Sequence, residues 1–518
     1  MTRRTLLQLA GMGITSAALP ALDACGGRAE SFGTKSKSTS VASCPPNWSA
    51  LRTRLSGDLV LPGDAAYDGV RLAYSPLFDG QRPAAIARCA RASDVQACLE
   101  LARGCGLPIA ARSGGHSYGG YSTPDQGLVI DLGRMSEIVV GRDGTAVIGA
   151  GARLIDVYAT LASAGRCLPS GTCPSVGISG ITLGGGIGVL TRLHGLTCDR
   201  LLAAHVVLAD GSSRTADAGH APDLHWALRG GGGGNFGIVT SFTFDTRPAP
   251  AELTAFSLAF PAGAVADVLG AWQEWQPRMP NELWSNCVVF SGAPPGSAVN
   301  GCFAGAPSAL APLLDDLAER AGVQPTGRVS TSMSYFDAMM FFAGCEALTV
   351  AQCHLREPGA EGDSGAADGG AGAGTLERSL LVASSRMLAA PMRDPSRVAD
   401  LLSEHTGIFL LFDGLGGAVA ELRPDETAFP HREALASVQV AHGLTVPEDA
   451  PSARQEVASV QMALAGIVGS GAYVNYIDPN MSDWASACYG TNLPRLRQVA
   501  ERYDPDGVFS FAQNVAKS

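Results

Sequence analysis

The sequence predicts an α+β protein built from two packed units, and three observations carry that expectation. A chain of 518 residues exceeds what one simple hydrophobic core serves, so it divides. Up to Arg247, helical and strand periodicities alternate as in a mixed unit. After Arg247-Pro248-Ala249-Pro250 the order becomes strand, helix, strand, strand, helix, which suits an antiparallel sheet covered by helices on one face.

In the first unit, Ser93-Asp94-Val95-Gln96 has the form of a capping box, and Val95, Cys98, Leu99 and Ala102 follow at helical spacing until Gly104 and Gly106. A strand at 107–111 then delivers the chain into Arg112-Ser113-Gly114-Gly115-His116-Ser117-Tyr118-Gly119-Gly120. A second helix, signalled by Leu154, Val157, Tyr158 and Leu161 and stopped at Gly165, leads to Pro169-Ser170-Gly171-Thr172-Cys173-Pro174-Ser175-Val176-Gly177-Ile178-Ser179-Gly180. Strand-like runs occupy 128–132, 138–140, 146–148, 204–208 and 238–244. In the second unit, strands are expected at 253–260, 284–290 and 301–304, and helices at 265–275 and 309–321. Residues 358–374 are nearly all Gly, Ala, Asp and Glu, which predicts a surface insertion. The last helix carries Leu496, Val499, Ala500 and Tyr503 and ends at Asp504-Pro505.

The excess of 48 acidic over 37 basic residues gives a net charge of -11, which repels phosphate backbones and anionic lipid alike, so nucleic acid is disfavoured as a partner. Arg3-Arg4 stand ahead of an apolar run at 9–22, the form of a twin-arginine export signal read by machinery that exports folded proteins. Gly11, Gly13, Thr15 and Ser16 interrupt that run, which falls short of the roughly 20 apolar residues of a bilayer span. A periplasmic or extracellular location is therefore expected. Leu22-Asp23-Ala24-Cys25 resembles a lipoprotein cleavage box with Cys25 as the lipid carrier; plain release is preferred, and no stable membrane partner is expected without that lipid. Residues 26–43 are too polar to offset their ordering entropy and predict a flexible leader.

Thirteen cysteines in an exported chain permit disulfides. Cys287 with Cys302 across a hairpin and Cys345 with Cys353 around a short loop are the candidate pairs, whereas Cys98 sits on an apolar helix face and reads as core.

Two glycine runs, Gly184-Gly185-Gly186-Ile187-Gly188 and Gly230-Gly231-Gly232-Gly233-Gly234-Asn235-Phe236-Gly237, offer backbone that can approach a phosphate closely. Neither fits GxGxxG opening a helix, so a nicotinamide Rossmann domain is disfavoured, and HExxH and Walker A patterns are missing from the sequence. His116 sits in a polar glycine turn rather than on an apolar face, and Cys173 precedes a proline in a glycine-rich loop. Taken singly, each has an ordinary alternative: a solvated histidine, and a plain thiol or a disulfide with Cys167.

Together the two loops resemble the flavin attachment sites of the berberine bridge enzyme-like branch of the vanillyl-alcohol oxidase family, over most of 88–244 and again from Tyr473 onward. The resemblance implies an FAD-binding domain of two α/β subdomains, spanning 46–247 and closed by 466–518, with a substrate domain at 248–465 and the signal and leader at 1–45. It implies FAD attached twice, through the 8α carbon to His116 and through C6 to Cys173, which raises the reduction potential. By the same resemblance the cofactor set includes Arg112, Ser113, Gly114, Gly115, Ser117, Tyr118, Val176, Gly177, Gly180, Gly184, Gly185, Gly188, Gly237, Ile238, Asn475 and Asn514. Val176 matches a position whose small side chain leaves oxygen a path to the reduced flavin, and it otherwise fills space in a small-residue loop.

Tyr473-Val474-Asn475-Tyr476 is similar to the family's YxNY segment, which implies that Tyr476 takes the hydroxyl proton as hydride leaves for the flavin. A phenol with pKa near 10 is a poor base at neutrality, so a neighbour must favour its ionised form or relay the proton. Asp413, ahead of Gly416-Gly417, occupies the place of a family acidic residue and is assigned the orienting or relay role, with direct base action as the alternative. Ala428-Phe429-Pro430-His431-Arg432 is similar to a substrate-domain pattern read as structural. The resemblance as a whole implies an exported bicovalent FAD oxidase acting on a CH-OH or CH-N carbon of a sugar, alcohol or secondary metabolite, with O2 as acceptor and H2O2 as product. A dehydrogenase with a non-oxygen acceptor and a non-catalytic secreted flavin-binding protein are the alternatives.

Overall fold

The computed structural model describes residues 44–356 and 374–518; the expected export signal, Cys25, the leader up to residue 43 and nearly all of the 358–374 insertion lie outside the described residues. The chain opens with a small sheet of β1 (Asp58–Val60), β2 (Ala85–Arg88), β3 (Ile109–Arg112) and β4 (Leu128–Asp131) in the order β1-β2-β4-β3, parallel except at β1. Strands β5 (Ile138–Val140), β6 (Thr145–Gly149), β7 (Arg166–Cys167), β8 (Leu201–Val207), β9 (Ser213–Asp217), β10 (Ile238–Asp245) and β11 (Arg247–Pro248) follow. Five of them form an antiparallel sheet in the order β5-β6-β10-β8-β9, while β7 and β11 pair as a short ribbon. The mixed character expected of the first unit is thus present.

The helix expected near Ser93 spans Ala92–Cys105 and ends at Gly106, whose φ of 61° is the left-handed cap a glycine adopts freely. The capping box does not form. The helix is capped at Arg91, and Asp94 instead accepts from the backbone N–H groups of Ser56, Gly57 and Ala90, while Gln96 donates to the Gly211 carbonyl. A fully buried aspartate satisfied by three amides outcompetes a surface box.

The second unit is one seven-stranded antiparallel sheet of β12 (Leu253–Ala259), β13 (Leu283–Phe290), β14 (Gly296–Phe303), β15 (Gly327–Met333), β16 (Leu381–Leu388), β17 (Ile408–Gly414) and β18 (Ala436–Gly443). Its order, β15-β12-β14-β13-β17-β18-β16, contains the strand, helix, strand, strand, helix unit twice, related about the β13–β17 pair. Helices Val265–Trp275, Pro307–Ala321, Ser396–Ser403 and Ala450–Val468 bury one face, where Leu283, Cys287, Val289, Leu410 and Phe412 point. Residues at the alternate positions, Trp284, Asn286, Val288, Leu411 and Asp413, face the first unit.

That alternation overturns the Cys287–Cys302 pair: Cys302 is registered with Trp284 on one face and Cys287 lies on the other, so both stay buried thiols. Cys345–Cys353 does form, and Cys44–Cys105, which spacing did not suggest, ties the chain entry to the first long helix. Cys98 is buried as expected. Cys167 does not pair with Cys173; its thiol meets the Pro248 carbonyl.

Two buried arginines fasten the units together. Arg192 donates to the carbonyls of Met279, Leu283 and Leu415, at the ends of the strands that carry Trp284 and Asp413. Arg432 makes a two-pronged bridge to Asp199 at 2.7 and 2.8 Å, with both side chains almost wholly enclosed. Burial opposes ionisation of Asp199, but the Arg432 guanidinium outweighs it and holds the carboxyl below its usual range. Asp199→Ala leaves a buried guanidinium unpaired, and chemical denaturation should report a loss of about 3–5 kcal/mol; a loss under about 1 kcal/mol would show that the pair does not fasten the units.

Candidate active site

Glycine decides how the two motif loops meet. A Cβ on Gly114 would lie 2.3 Å from the Gly177 backbone nitrogen, and one on Gly177 would lie 2.1 Å from Ser113 Oγ, so the loops touch backbone to backbone. The second loop is tied to the start of helix Leu154–Ser163 by Leu154 N–H to Val176 O, Ile155 N–H to Pro174 O and Ile178 N–H to Ala152 O. Ser113 and Ser179 both donate to the Ala150 carbonyl at 2.6 Å and lock the pair from beneath. In consequence His116 and Cys173 converge: Ser175 Oγ is 3.0 Å from His116 Nε2 and 3.8 Å from Cys173 Sγ. Tyr74 stacks on the His116 ring at 3.7 Å. Burial first, and then the Arg153 charge, pushes the His116 pKa down to about 3, so the imidazole is neutral and keeps a nucleophilic lone pair.

Both loops open on a cavity of about 770 Å³ that runs from the glycine-rich turn of the first unit to the bare face of the seven-stranded sheet. Of the site residues expected from the sequence, its wall includes Ser113, Gly114, Gly115, His116, Ser117, Tyr118, Cys173, Val176, Gly177, Gly180, Gly188, Gly237, Ile238, Asn475, Tyr476 and Asp413. Four expected cofactor residues stand outside it. Arg112 pairs with Asp131 at 2.8 Å and donates to the carbonyls of Val70 and Arg71, so it supports the loop base. A Cβ on Gly184 would strike Asn475 Oδ1 at 2.0 Å, and Gly185, at φ 121°, packs under Phe429; this glycine run cradles the YxNY segment, whose Tyr473 hydroxyl accepts from Gly186 N–H. Asn514 caps the last turn, accepting from Ala516 N–H and donating to Phe509 O. His431 is half-buried beside Phe429, with burial pushing its pKa down to about 4.

The wall fits a flavin dinucleotide. Gly232 and Gly234 hold φ of 83° and 79° and present bare backbone, as a pyrophosphate requires. Tyr121 Oη, Ser122 Oγ and Gln513 Oε1, all on residues of the wall, are buried without a protein partner. Buried polar atoms are satisfied in nearly all folded proteins, and a polar cofactor is the natural partner for these three.

At the sheet end, Tyr118 and Tyr476 stack at 5.8 Å, Tyr473 meets Tyr476 edge-on at 5.1 Å, and Gln439 donates to the Tyr118 hydroxyl at 2.8 Å. Burial, and then the Asp413 charge, pushes Tyr476 well above the usual phenol value. Burial also pushes Asp413 up to about 7, against a hydrogen bond from Asn286 that favours its ionised form. Tyr74, Ser175, Asn286, Asn300 and Gln439 join the site without any motif in the sequence that singled them out. The visible signal for the asparagines was a polar residue at the centre of an apolar strand, on the face left bare by the helices.

A cavity ringed by glycine backbone, with a neutral imidazole, a thiol and the Asp413 carboxyl on its wall, is the site expected of a flavin-dependent oxidoreductase. The comparisons agree: residues 83–217 match an FAD binding domain family, and residues 472–516 match the berberine and berberine-like family. Over 474 residues the chain is 33% identical to the uncharacterized FAD-linked oxidoreductase YgaK of Bacillus subtilis, covering 90% of this chain and 98% of that one. A chitooligosaccharide oxidase of Gibberella zeae is 32% identical over 84% of this chain and 87% of its own. The solved structure of BBE-like 1 from Physcomitrella patens superposes with a TM-score of 0.80 at 28% identity, covering 90% of this chain and 98% of that one. The chain belongs to the berberine bridge enzyme-like family of FAD-linked oxidoreductases.

Because the loops leave no room for a methyl group, Gly114→Ala should part them and yield protein with a small fraction of the normal flavin absorbance per polypeptide; full flavin content would show that the loops tolerate separation.

Proposed function

We propose that this protein is an oxidase that holds FAD through both His116 and Cys173 and oxidises a CH-OH carbon of a carbohydrate-like substrate, with O2 as acceptor and H2O2 as product. The observation that carries the catalytic part is Asp413, a buried carboxylate poised at about 7 and felt by Tyr476 in the same cavity. FAD bound in this cavity would supply the hydride acceptor and the route for electrons to oxygen.

The chain's own residues handle the proton. An alcohol O–H must lose its proton as the C–H hydride departs, and general base catalysis contributes about 10²- to 10⁴-fold. Tyr476 cannot stand as a phenolate here, since burial and Asp413 both favour its neutral form. It therefore accepts the substrate proton only while giving up its own, and Asp413 is the sink. Tyr118, fixed by Gln439, walls the other side of Tyr476 and keeps its ring in place. The neutral imidazole of His116 and the thiol of Cys173, converging on Ser175, support the double attachment. Val176, in the same loop as Cys173, lines the cavity with a small side chain and supports access by oxygen.

A carbohydrate is favoured by the oligosaccharide oxidase among the relatives and by the amide-bearing sheet face, which offers donors and acceptors to hydroxyls. Export is proposed as well. Two disulfides among the described residues suit an oxidising compartment.

Anaerobic mixing with oligosaccharides should bleach the visible flavin band, at a rate that rises with pH through about 7 as Asp413 ionises. Asp413→Asn and Tyr476→Phe should each slow that step on the order of 10²-fold or more. Colour that persists with every saccharide, alcohol and alkaloid supplied would mean a non-catalytic flavin carrier. Bleaching without peroxide in air would mean a dehydrogenase.

A further inference from the structure

Four side chains on the bare face of the seven-stranded sheet stand in one straight row. Ser257 on β12 is registered with Asn300 on β14, Asn300 with Asn286 on β13, and Asn286 with Asp413 on β17. Directly paired positions in an antiparallel sheet keep their Cβ atoms about 4.5–5.5 Å apart, a gap that an amide spans. The bonds between them all run one way. Ser257 Oγ donates to Asn300 Oδ1 at 2.8 Å, Asn300 Nδ2 donates to Asn286 Oδ1 at 3.3 Å, and Asn286 in turn bonds the Asp413 carboxyl.

Direction comes from the chemistry of each link. An ionised Asp413 only accepts, so Asn286 turns its NH2 toward the carboxylate and its oxygen toward Asn300, whose own oxygen then accepts from the Ser257 hydroxyl. Hydrogen bonds in a chain polarise one another, and the effect is largest where water is excluded. Same-face neighbours along these four strands, Trp284, Val288, Cys302 and Leu411, are apolar, so the row is a polar line across an apolar stretch of the sheet. Such a line costs stability unless every member is satisfied. Its terminal donor, Ser257, is only 2% exposed and lies three strands away from Asp413.

We propose that Ser257, Asn300 and Asn286 form a positioning row that presents a fixed donor to Asp413 and so holds that carboxylate ionised and oriented for the proton of the substrate. The inference rests on Asp413 being the proton sink. The other groups facing Asp413 leave the row in control: Tyr476 comes from the closing segment, Tyr118 from the His116 loop, and Ser437, registered opposite on β18, has a buried hydroxyl with no protein partner. No charged side chain among the described residues enters the balance at Asp413.

The experiment follows the pH dependence of anaerobic flavin reduction in the holoenzyme, together with infrared titration of the Asp413 carboxyl stretch, assigned by its loss in Asp413→Asn. Asn286→Leu removes the donor, so ionisation becomes harder and the midpoint should rise on the order of one pH unit. Below that midpoint, reduction should fall about tenfold while the high-pH plateau stays. Ser257→Ala should move the midpoint the same way by less, and Ser257→Thr, which keeps the hydroxyl, should restore it. Should Asn286→Leu fail to fold, the Ser257→Ala and Ser257→Thr comparison carries the test. Unmoved midpoints, or an equal loss of rate at every pH, overturn the row. Wild-type reduction by Asp413→Asn would instead overturn the proton-sink assignment, and the infrared midpoint would still report on the row.

Discussion

Close backbone contact between Gly114 and Gly177 is the constraint on which the rest of the site depends. Any side chain at either position would push the loops apart, and the His116 imidazole and Cys173 sulfur would no longer share the Ser175 hydroxyl. The serine pair on the Ala150 carbonyl and the three backbone bonds into helix Leu154–Ser163 keep the junction from opening. A site fixed by backbone is stiff, which is what placing two reactive atoms against one ring demands.

The seven-stranded sheet solves a different problem. Its duplicated strand and helix order puts β13 beside β17 at the centre, so Asn286 and Asp413 are neighbours across the line that relates the two halves. One face is sealed by four helices, leaving the other as the ceiling of the cavity. Asp413 is thereby kept from water, which raises its proton affinity into the useful range, while the amide beside it keeps that rise from going too far. Arg192 and Arg432 then hold this ceiling over the flavin loops without adding a charge to the cavity.

Much of this was legible in the chain because the informative signals were local. The His116 and Cys173 loops, the helix ending at Gly106, the β12 to β14 segment and the YxNY sequence are each short continuous stretches. What failed were inferences about partners far along the chain. Cys287 and Cys302 flank a turn, but the period of two puts their thiols on opposite faces; Cys44 finds Cys105 only after the entry segment has folded back. Arg112 and Gly184 belong to motifs that contain cofactor residues, yet a neighbouring aspartate and Asn475 claim them. Asn286 and Asn300 acquire meaning only from strand register, which the sequence does not disclose.

The proposed attachment of one FAD through both His116 and Cys173 is tested most directly by precipitating the protein with acid, digesting the pellet and weighing the flavin-bearing peptides. The account predicts one flavin joining the peptide of His116 to the peptide of Cys173. Flavin that washes into the supernatant, or stays on a peptide containing neither residue, would contradict it.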